Sequence, residues 1–305
     1  MNRRQVLFSL ATLGTSPVAL SLSARGQSPA ILTRPIPSTG EAIPAIGLGS
    51  WITFNVGNDR AARDSCAEVI RHFLAAGGRV IDSSPMYGSS QEVIGYGLAR
   101  LGKTAASVFA ADKVWTSLGS RGAAQIETSR QHWSVPRFDL LQVHNLLAWQ
   151  DHLPMLLAMK AAGQVRYVGI TTSEGRRHRE FEQIMASHPL DFIQVTYNVL
   201  DREVEQRILP LARERRIGVI INRPFREGDL IRKLMRHPLP SWAAEIDCAN
   251  WAQLLLKFIV SHPTVTCVIP ATSNVAHVRE NVGAGHGRLP DEPIRKRLIA
   301  LVEKV

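Results

Sequence analysis

The sequence has few cysteines and few aromatic residues. Its three cysteines, Cys66, Cys248 and Cys267, match neither the spacing of a metal site nor a disulfide framework. Aromatic residues make up 6% of the chain and do not interleave with basic residues as single-stranded nucleic acid binding requires. We therefore expect no bound metal, no disulfide-stapled fold and no nucleic-acid partner.

Long apolar runs are absent after the N-terminal segment. There, Arg3 and Arg4 precede an apolar stretch that ends at about residue 22 and is short for a membrane span. Paired arginines before such a stretch predict a twin-arginine export signal over residues 1–25. The alternatives are an uncleaved anchor or a chance basic start. We expect a Pro- and Ser-rich linker over residues 26–40 and one domain over residues 41–305.

This signal implies a periplasmic or otherwise exported protein that touches the membrane only through its leader. The lack of a disulfide set agrees with the twin-arginine route, which resembles systems that move already folded proteins. There is no excess of acidic residues: the formal net charge is +10, and about +7 without Arg3, Arg4 and Arg25. A basic surface favours an anionic cofactor. With 45% hydrophobic and 20% charged residues, the chain is typical of a globular enzyme, and we expect a monomer.

The sequence also lacks a G-x-G-x-x-G motif after an early strand, which argues against an open doubly wound sheet. Eight apolar runs alternate with helical patterns, the first run over residues 43–51 and one charged helix over residues 202–215. Such alternation predicts an all-parallel sheet with right-handed crossovers. The predicted fold is therefore α/β, a (β/α)8 TIM barrel.

Three of these apolar runs end in a polar residue. The runs end at Asp82, Lys113 and His144, each 31 residues after the one before, and Tyr87 follows in the loop after Asp82. A period near 30 residues is that of a strand–helix unit. Because the carboxyl ends of neighbouring parallel strands share one face, we expect these four residues, here called the tetrad, to converge.

The tetrad carries chemistry suited to protonating an oxygen. A tyrosine hydroxyl ordinarily titrates near 10, and a neighbouring lysine ammonium favours the phenolate and lowers that pKa. The aspartate holds the lysine charged, and the histidine orients a substrate oxygen or relays a proton. Alone, each residue is more often a cap, a solvated strand end, a loop residue or a packing residue. Their coincidence at barrel spacing favours catalysis, and carbonyl reduction is such a reaction.

Seven short motifs follow one another along the chain: G-L-G-S-W (47–51), V-I-D-S-S-P-M-Y-G-S-S (80–90), D-K-V-W (112–115), L-L-Q-V-H-N (140–145), G-Q-V-R-Y-V-G-I (163–170), F-I-Q-V-T-Y-N (192–198) and V-I-P-A-T-S-N (268–274). In this order they resemble the aldo/keto reductase family over residues 43–302. The resemblance implies that Tyr87 is the general acid/base, that Lys113 and Asp82 tune it, and that His144 orients the carbonyl. It also implies a nicotinamide cofactor, usually NADP, extended across the barrel mouth.

The resemblance further implies cofactor contacts near the nicotinamide. Gln194 matches the glutamine that bonds the carboxamide, and the first loop lies beside the ring. The usual Ser-Asn pair is replaced by two threonines, and the usual stacking aromatic by Asn222. Arg223 either reaches the pyrophosphate or is a surface charge. The residues assigned to this part of the site are Gly49, Ser50, Trp51, Thr171, Thr172, Gln194, Asn222 and Arg223.

The adenosine end is assigned to residues 272–281. Helix N-termini favour phosphate, and hydroxyl and amide groups there can donate to it. The family's arginine and lysine are His277 and Ala271 here, and Arg279 either substitutes or is a solvated helix residue. These departures keep NAD as an alternative to NADP. The assigned residues are Thr272, Ser273, Asn274, Arg279, Glu280 and Asn281.

Three functions follow from these features. The first is an oxidoreductase that moves hydride between NADP(H) and an aldehyde or ketone, reversibly an alcohol. The second is a cofactor-binding redox sensor or regulator with little turnover. The third, a metal-dependent hydrolase on the same barrel, lacks a cluster of ligands at the strand ends.

Overall fold

The computed structural model describes residues 31–305, and the predicted export signal lies outside the described residues. The described chain begins with a hairpin, in which β1 (Thr33–Pro35) pairs antiparallel with β2 (Ala42–Pro44). Ile36 and Ile43 are fully buried with the side chains that fill the barrel. Residues 31–40 were expected to belong to a linker; in the structure they form most of this hairpin.

After the hairpin, the described part of the chain forms eight parallel strands in sequence order, each hydrogen-bonded to the next. Single bridges from Ile46 to Val268 and from Gly49 to Ala271 join the last strand to the first. The predicted TIM barrel is thereby confirmed. The strands are β3 (Leu48–Gly49), β4 (Val80–Asp82), β5 (Phe109–Val114), β6 (Leu140–Val143), β7 (Tyr167–Thr171), β8 (Phe192–Thr196), β9 (Gly218–Asn222) and β10 (Cys267–Val268).

The expected first strand over residues 43–51 is divided in the structure. Its start belongs to the hairpin and its end to the barrel. Glycines explain the closure, because a Cβ on Gly47 would lie 3.0 Å from both Cys267 Sγ and Ile269 Cγ2. At Gly49 a Cβ would lie 2.8 Å from the backbone oxygen of Ile269. Only glycine lets the first barrel strand approach the last this closely.

Residues 31–305 contain ten α-helices, most of which connect successive barrel strands. The charged segment 202–215 differs from expectation: a 3-10 turn at Glu203–Glu205 precedes a shorter α-helix, because Arg207 has a non-helical backbone. No helix among residues 31–305 is long and apolar enough to cross a bilayer. The helices are α1 (Arg60–Ala75), α2 (Ser90–Leu101), α3 (Gly122–Trp133), α4 (Trp149–Ala161), α5 (His178–Ser187), α6 (Ile208–Glu214), α7 (Asp229–Leu234), α8 (Trp251–Val260), α9 (Val275–Gly283) and α10 (Glu292–Val302).

Strand alternation divides the core into two layers, as β5 illustrates. Phe109 and Ala111 belong to the cluster inside the barrel, whereas Ala110 and Val114 belong to the cluster between barrel and helices. Successive side chains of a strand point to opposite faces. The same alternation places Lys113 toward the barrel interior and its neighbour Asp112 toward the surrounding helices.

Candidate active site

The tetrad converges at the carboxyl ends of β4, β5 and β6. Lys113 Nζ lies 2.5 Å from Asp82 Oδ2 and donates to the backbone oxygen of Ser83 at 2.8 Å. The Lys113 side chain has no solvent exposure, and that of Asp82 is 2% exposed. Nζ also lies 5.2 Å from the ring centre of Tyr87. A fully buried ammonium therefore stands beside the tyrosine.

Two rings hold the side chain of Tyr87. Its ring centre lies 4.9 Å from that of Trp51 and 5.6 Å from that of His144, the latter in an edge-on arrangement. Tyr87 is half-buried, so part of its ring borders the open mouth. Contacts with aromatic rings on two sides restrict its rotamer and leave its hydroxyl on the lysine side of the site.

Two glutamine amides complete the surroundings of Asp82. Gln194 Nε2 donates to Asp82 Oδ1 at 2.9 Å, and Gln142 Nε2 lies 3.4 Å from the same oxygen. All three residues come from alternate strands, β4, β6 and β8, and form one polar layer of the barrel interior. The role of Gln142 was not predicted; its signal was a glutamine inside an otherwise apolar strand.

Burial sets the acidity of Tyr87 more strongly than the lysine does. Burial, helped by the negative charges of Asp82 and Asp112, raises the pKa of Tyr87 above its ordinary value of 10, against the lowering effect of Lys113. The expectation of a lowered pKa is therefore reversed in direction. Burial also acts to lower the pKa of Lys113, but Asp82 and Tyr87 outweigh it and raise that pKa above 10.5. Tyr87 is a neutral phenol and Lys113 a cation at neutral pH.

His144 is neutral and held by a serine. Burial, with the charge of Lys113, lowers the pKa of His144 to about 2. Its Nδ1 lies 2.7 Å from Ser84 Oγ, which also accepts from the backbone NH of Met86 at 3.2 Å. The serine then has its single hydrogen free to donate to Nδ1. This arrangement favours the tautomer that is protonated on Nε2, which can donate a hydrogen bond to a substrate oxygen.

An open cavity of about 360 Å³ lies beside the tetrad, within the size range of ligand pockets. Asp82, Tyr87 and His144 border it, whereas Lys113 lies behind them. Several side chains that sequence reasoning did not single out also border it, among them Asn145, Glu174 and Glu227. The predicted cofactor residues that border it are Gly49, Ser50, Trp51, Thr171, Gln194, Asn222 and Arg223.

Arg223 and Asn222 are already engaged by neighbouring side chains. Arg223 Nη1 lies 2.9 Å from Glu174 Oε1 and 2.5 Å from Glu227 Oε1, so two carboxylates balance its charge. Asn222 accepts from Thr196 Oγ1 at 2.7 Å and donates to the backbone oxygen of Thr172 at 3.0 Å. Arg223 thus links the loops after β7 and β9 across the mouth.

The predicted adenosine-end residues lie at the start of α9 and in its second half, outside the lining of the cavity. Asn274 caps the helix by accepting from the backbone NH of Ala276 at 2.8 Å. Thr272 Oγ1 accepts from the backbone NH of Asn274 and lies 3.3 Å from His277 Nδ1. The exposure of the remaining predicted residues there differs: Ser273 and Arg279 are exposed, Glu280 is half-buried and Asn281 is buried.

The described residues hold no group of three or more His, Cys, Asp or Glu side chains placed to bind a metal. All three cysteines are buried free thiols. A barrel whose carboxyl-end mouth gathers ionisable groups around a pocket is the arrangement of a TIM-barrel enzyme.

Comparison with known proteins specifies the family. The family model described as "Aldo/keto reductase family" matches residues 45–297, and the chain belongs to this family. The aldo-keto reductase YhdN of Bacillus subtilis is 26% identical, over 65% of this chain and 63% of the relative, so the match spans less than two thirds of that protein. The NADH-specific methylglyoxal reductase of Escherichia coli is 25% identical, over 84% of this chain and 94% of the relative.

Solved structures agree with the fold. An aldo/keto reductase from Klebsiella pneumoniae, in complex with NADP and acetate, superposes with a TM-score of 0.72 at 25% identity, over 85% of this chain and 93% of that one. The holo form of aldo-keto reductase AKR11C1 from Bacillus halodurans has a TM-score of 0.73 at 19% identity, over 90% of this chain and 96% of that one.

Proposed function

We propose that this protein is an NADP(H)-dependent reductase of aldehydes or ketones, reversibly an alcohol dehydrogenase, with NAD(H) as the alternative cofactor. The observation that carries the proposal is the buried Lys113–Asp82 pair beside Tyr87 at the edge of an open cavity. A neutral phenol next to a fixed cation is suited to give up its proton as negative charge develops on a substrate oxygen. Family membership and the NADP complex of the Klebsiella relative support the choice of cofactor.

The residues around the cavity fit a nicotinamide. Gln194 donates to Asp82, and its carbonyl oxygen, which accepts no hydrogen bond within the described residues, remains available to a carboxamide. Trp51 supplies an aromatic face next to Tyr87. We assign the nicotinamide end to these residues together with Thr171 and Asn222, and the adenosine end to the start of α9. The cofactor supplies hydride to the carbonyl carbon when bound.

The protein's own residues then act on the carbonyl oxygen. His144, neutral and protonated on Nε2, donates a hydrogen bond that orients the oxygen and polarises the carbonyl. Tyr87 transfers its proton to the oxygen, and Lys113 stabilises the phenolate that remains. Asp82 holds Lys113 charged. In the reverse direction the phenolate removes the alcohol proton, so oxidation depends on the minor, deprotonated form of Tyr87.

Replacing one hydroxyl tests this assignment. We expect Tyr87→Phe to lower kcat for carbonyl reduction at least about 100-fold, the usual contribution of general acid catalysis, while NADPH binding is kept. The matched control is Tyr96→Phe, because Tyr96 lies on α2 and its hydroxyl bonds Asp64 away from the cavity. Equal rates for Tyr87→Phe and the wild type would end the assignment of Tyr87. NADPH binding without turnover of any carbonyl in the wild type would favour a sensor instead.

We also propose that the protein is exported by the twin-arginine route. Arg3 and Arg4 before a short apolar stretch support this, as does a chain whose three cysteines are all free thiols. The test is cell fractionation of the full chain and of Arg3→Lys/Arg4→Lys. We expect the wild type in the exported fraction and the double variant in the cytoplasm. Cytoplasmic wild-type protein would contradict export.

A further inference from the structure

A second buried carboxylate lies directly behind the tetrad. Asp112 precedes Lys113 on β5 and, by strand alternation, points outward to the helices; it has no solvent exposure. Its Oδ2 accepts from Gln91 Nε2 at 2.7 Å, and its Oδ1 accepts from the backbone NH of Lys113 at 2.8 Å. Gln91 Nε2 also donates to Ser129 Oγ on α3 at 2.9 Å.

These contacts connect the two elements that carry the proton donor and its cation. Gln91 lies in the first turn of α2, four residues after Tyr87, and Asp112 is the residue before Lys113. On the cavity side, the backbone of Ser83 joins the start of the Tyr87 loop to β5, through its NH to the oxygen of Ala111 at 3.0 Å and through its oxygen to Lys113 Nζ. The Gln91–Asp112 hydrogen bond, buried at both ends, links the same two elements behind the site.

We propose that Asp112 and Gln91 are positioning residues, which hold the Tyr87 loop and β5 together so that the Tyr87 hydroxyl stays within reach of the Lys113 ammonium. Ser129 orients the Gln91 amide by accepting its second hydrogen. This inference rests on the proposed role of Tyr87. The side chains of Asp112, Gln91 and Ser129 border neither the reacting atoms nor the cavity.

Physical chemistry explains why a carboxylate stands at this position. One acceptor must serve two donors that arrive from different elements, the Gln91 amide and the Lys113 backbone NH, and a carboxylate offers two oxygens for this task. Burial raises the pKa of Asp112 to about 7, against these two hydrogen bonds and the charge of Lys113. A buried acceptor with so high a desolvation cost is stabilised only while both donors remain in place. The bond is therefore a stiff connection rather than an exchangeable surface contact.

Two substitutions break the link from opposite sides. Gln91→Met removes the amide at similar length and leaves every charge unchanged. Asp112→Asn retains one acceptor oxygen, so it can satisfy only one of the two donors. We expect each to lower kcat about tenfold, because a small displacement of a catalytic group lowers rates steeply. KM for NADPH should stay within about twofold, since neither residue borders the cavity.

The matched control is Asp191→Asn. Asp191 is also a buried carboxylate that accepts from the backbone NH of a barrel strand, Val168, at 2.9 Å. It differs in pairing with Lys160 at 2.6 Å and in preceding β8 at the opposite end of the barrel. We expect its kcat per folded molecule to equal that of the wild type. Circular dichroism of each variant corrects rates for the folded fraction.

Introducing Gln91→Met into the Tyr87→Phe variant distinguishes a positioning role from a general loss of site structure. In Tyr87→Phe the network has no hydroxyl to place, so adding Gln91→Met should change the residual rate by less than about twofold. A further tenfold loss there would mean that the network supports the site as a whole and would overturn the proposal. A loss in Asp112→Asn without one in Gln91→Met would assign Asp112 an effect of charge alone, and would also overturn it. If Tyr87→Phe itself reacts like the wild type, the function proposed for Tyr87 fails first.

Discussion

At the scale of single residues, the site keeps two groups neutral that could otherwise titrate. Burial raises the pKa of Tyr87 above 10 and lowers that of His144 to about 2. Reduction needs the phenol, which is lost only as the pH rises through the pKa of Tyr87. It also needs neutral His144, which is lost only as the pH falls through about 2.

We therefore expect His144 to cause no step in kcat for carbonyl reduction near pH 6.5, where an ordinary histidine titrates. A step near pH 7 that is absent from Asp112→Asn would instead come from Asp112, because its protonation takes one acceptor oxygen from the network. Ionisation of Asp112, whose pKa is about 7, adds a negative charge that raises the pKa of Tyr87 further and leaves the phenol protonated. Oxidation of the alcohol should rise with pH over the same range, because it needs the phenolate. The measurement is kcat in both directions between about pH 5 and pH 9. An acid limb near 6.5 that disappears in His144→Gln would contradict this account.

Ser84 offers a test of the histidine tautomer. Ser84→Ala removes the partner of His144 Nδ1 in a fully buried position, which frees the ring to adopt the other tautomer. We expect kcat for reduction to fall about tenfold, since loss of an oriented donor to a developing oxyanion costs this much or more. KM for the cofactor should be unchanged. A rate equal to that of the wild type would mean that Ser84 does not set the tautomer of His144.

The convergence of the tetrad could be read from the chain because each strand-end residue closes an apolar run. The network behind it could not. Asp112 lies inside β5, and its partner Gln91 lies in the first turn of α2. The only available signal was a carboxylate one residue before the lysine, and its direction depends on strand alternation. The pKa of Tyr87 was also misjudged, because the extent of burial is not visible in a sequence.

At the scale of elements, close approach between α2 and α3 depends on one glycine. A Cβ on Gly95 would lie 1.9 Å from the backbone oxygen of His132, which cannot move without shifting α3. We expect Gly95→Ala to lower the free energy of unfolding by about 1–3 kcal/mol, the usual cost of overpacking. The matched control is Gly283→Ala, where the added methyl meets only the end of the Gln253 side chain. Urea unfolding of both variants measures the difference; equal stability would contradict the role of Gly95.

Most elements followed from apolar periodicity, and the exceptions share a cause. The hairpin of β1 and β2 consists of three-residue strands in a Pro- and Ser-rich stretch, where no periodicity can develop. The division of residues 43–51 depends on the close approach of Gly47 and Gly49 to Cys267 and Ile269, more than 200 residues away in the chain. Local sequence patterns do not indicate such long-range contacts, whereas a repeated strand–helix period does indicate a barrel.

At the scale of the whole molecule, the two ends of the barrel have different tasks. The carboxyl ends of the strands carry the tetrad and the cavity. The hairpin lies at the other end, where Ile36 and Ile43 pack with Phe109, Tyr167 and neighbouring side chains inside the barrel. In TIM barrels the carboxyl ends of the strands generally carry the catalytic residues, and the amino ends contribute to stability.

This division predicts that shortening a buried side chain of the hairpin lowers the stability of the protein and leaves its activity unchanged. Ile36→Ala and Ile43→Ala each remove methyl groups from a fully buried position, and we expect each to lower the free energy of unfolding by about 2–5 kcal/mol. Below the unfolding transition, kcat for carbonyl reduction per folded molecule should equal that of the wild type, because neither side chain approaches the cavity. Ser84→Ala is the reverse control, with lower kcat and a smaller loss of stability. A fall in kcat of folded Ile36→Ala would show that the hairpin also holds the site, and that the two ends of the barrel are coupled.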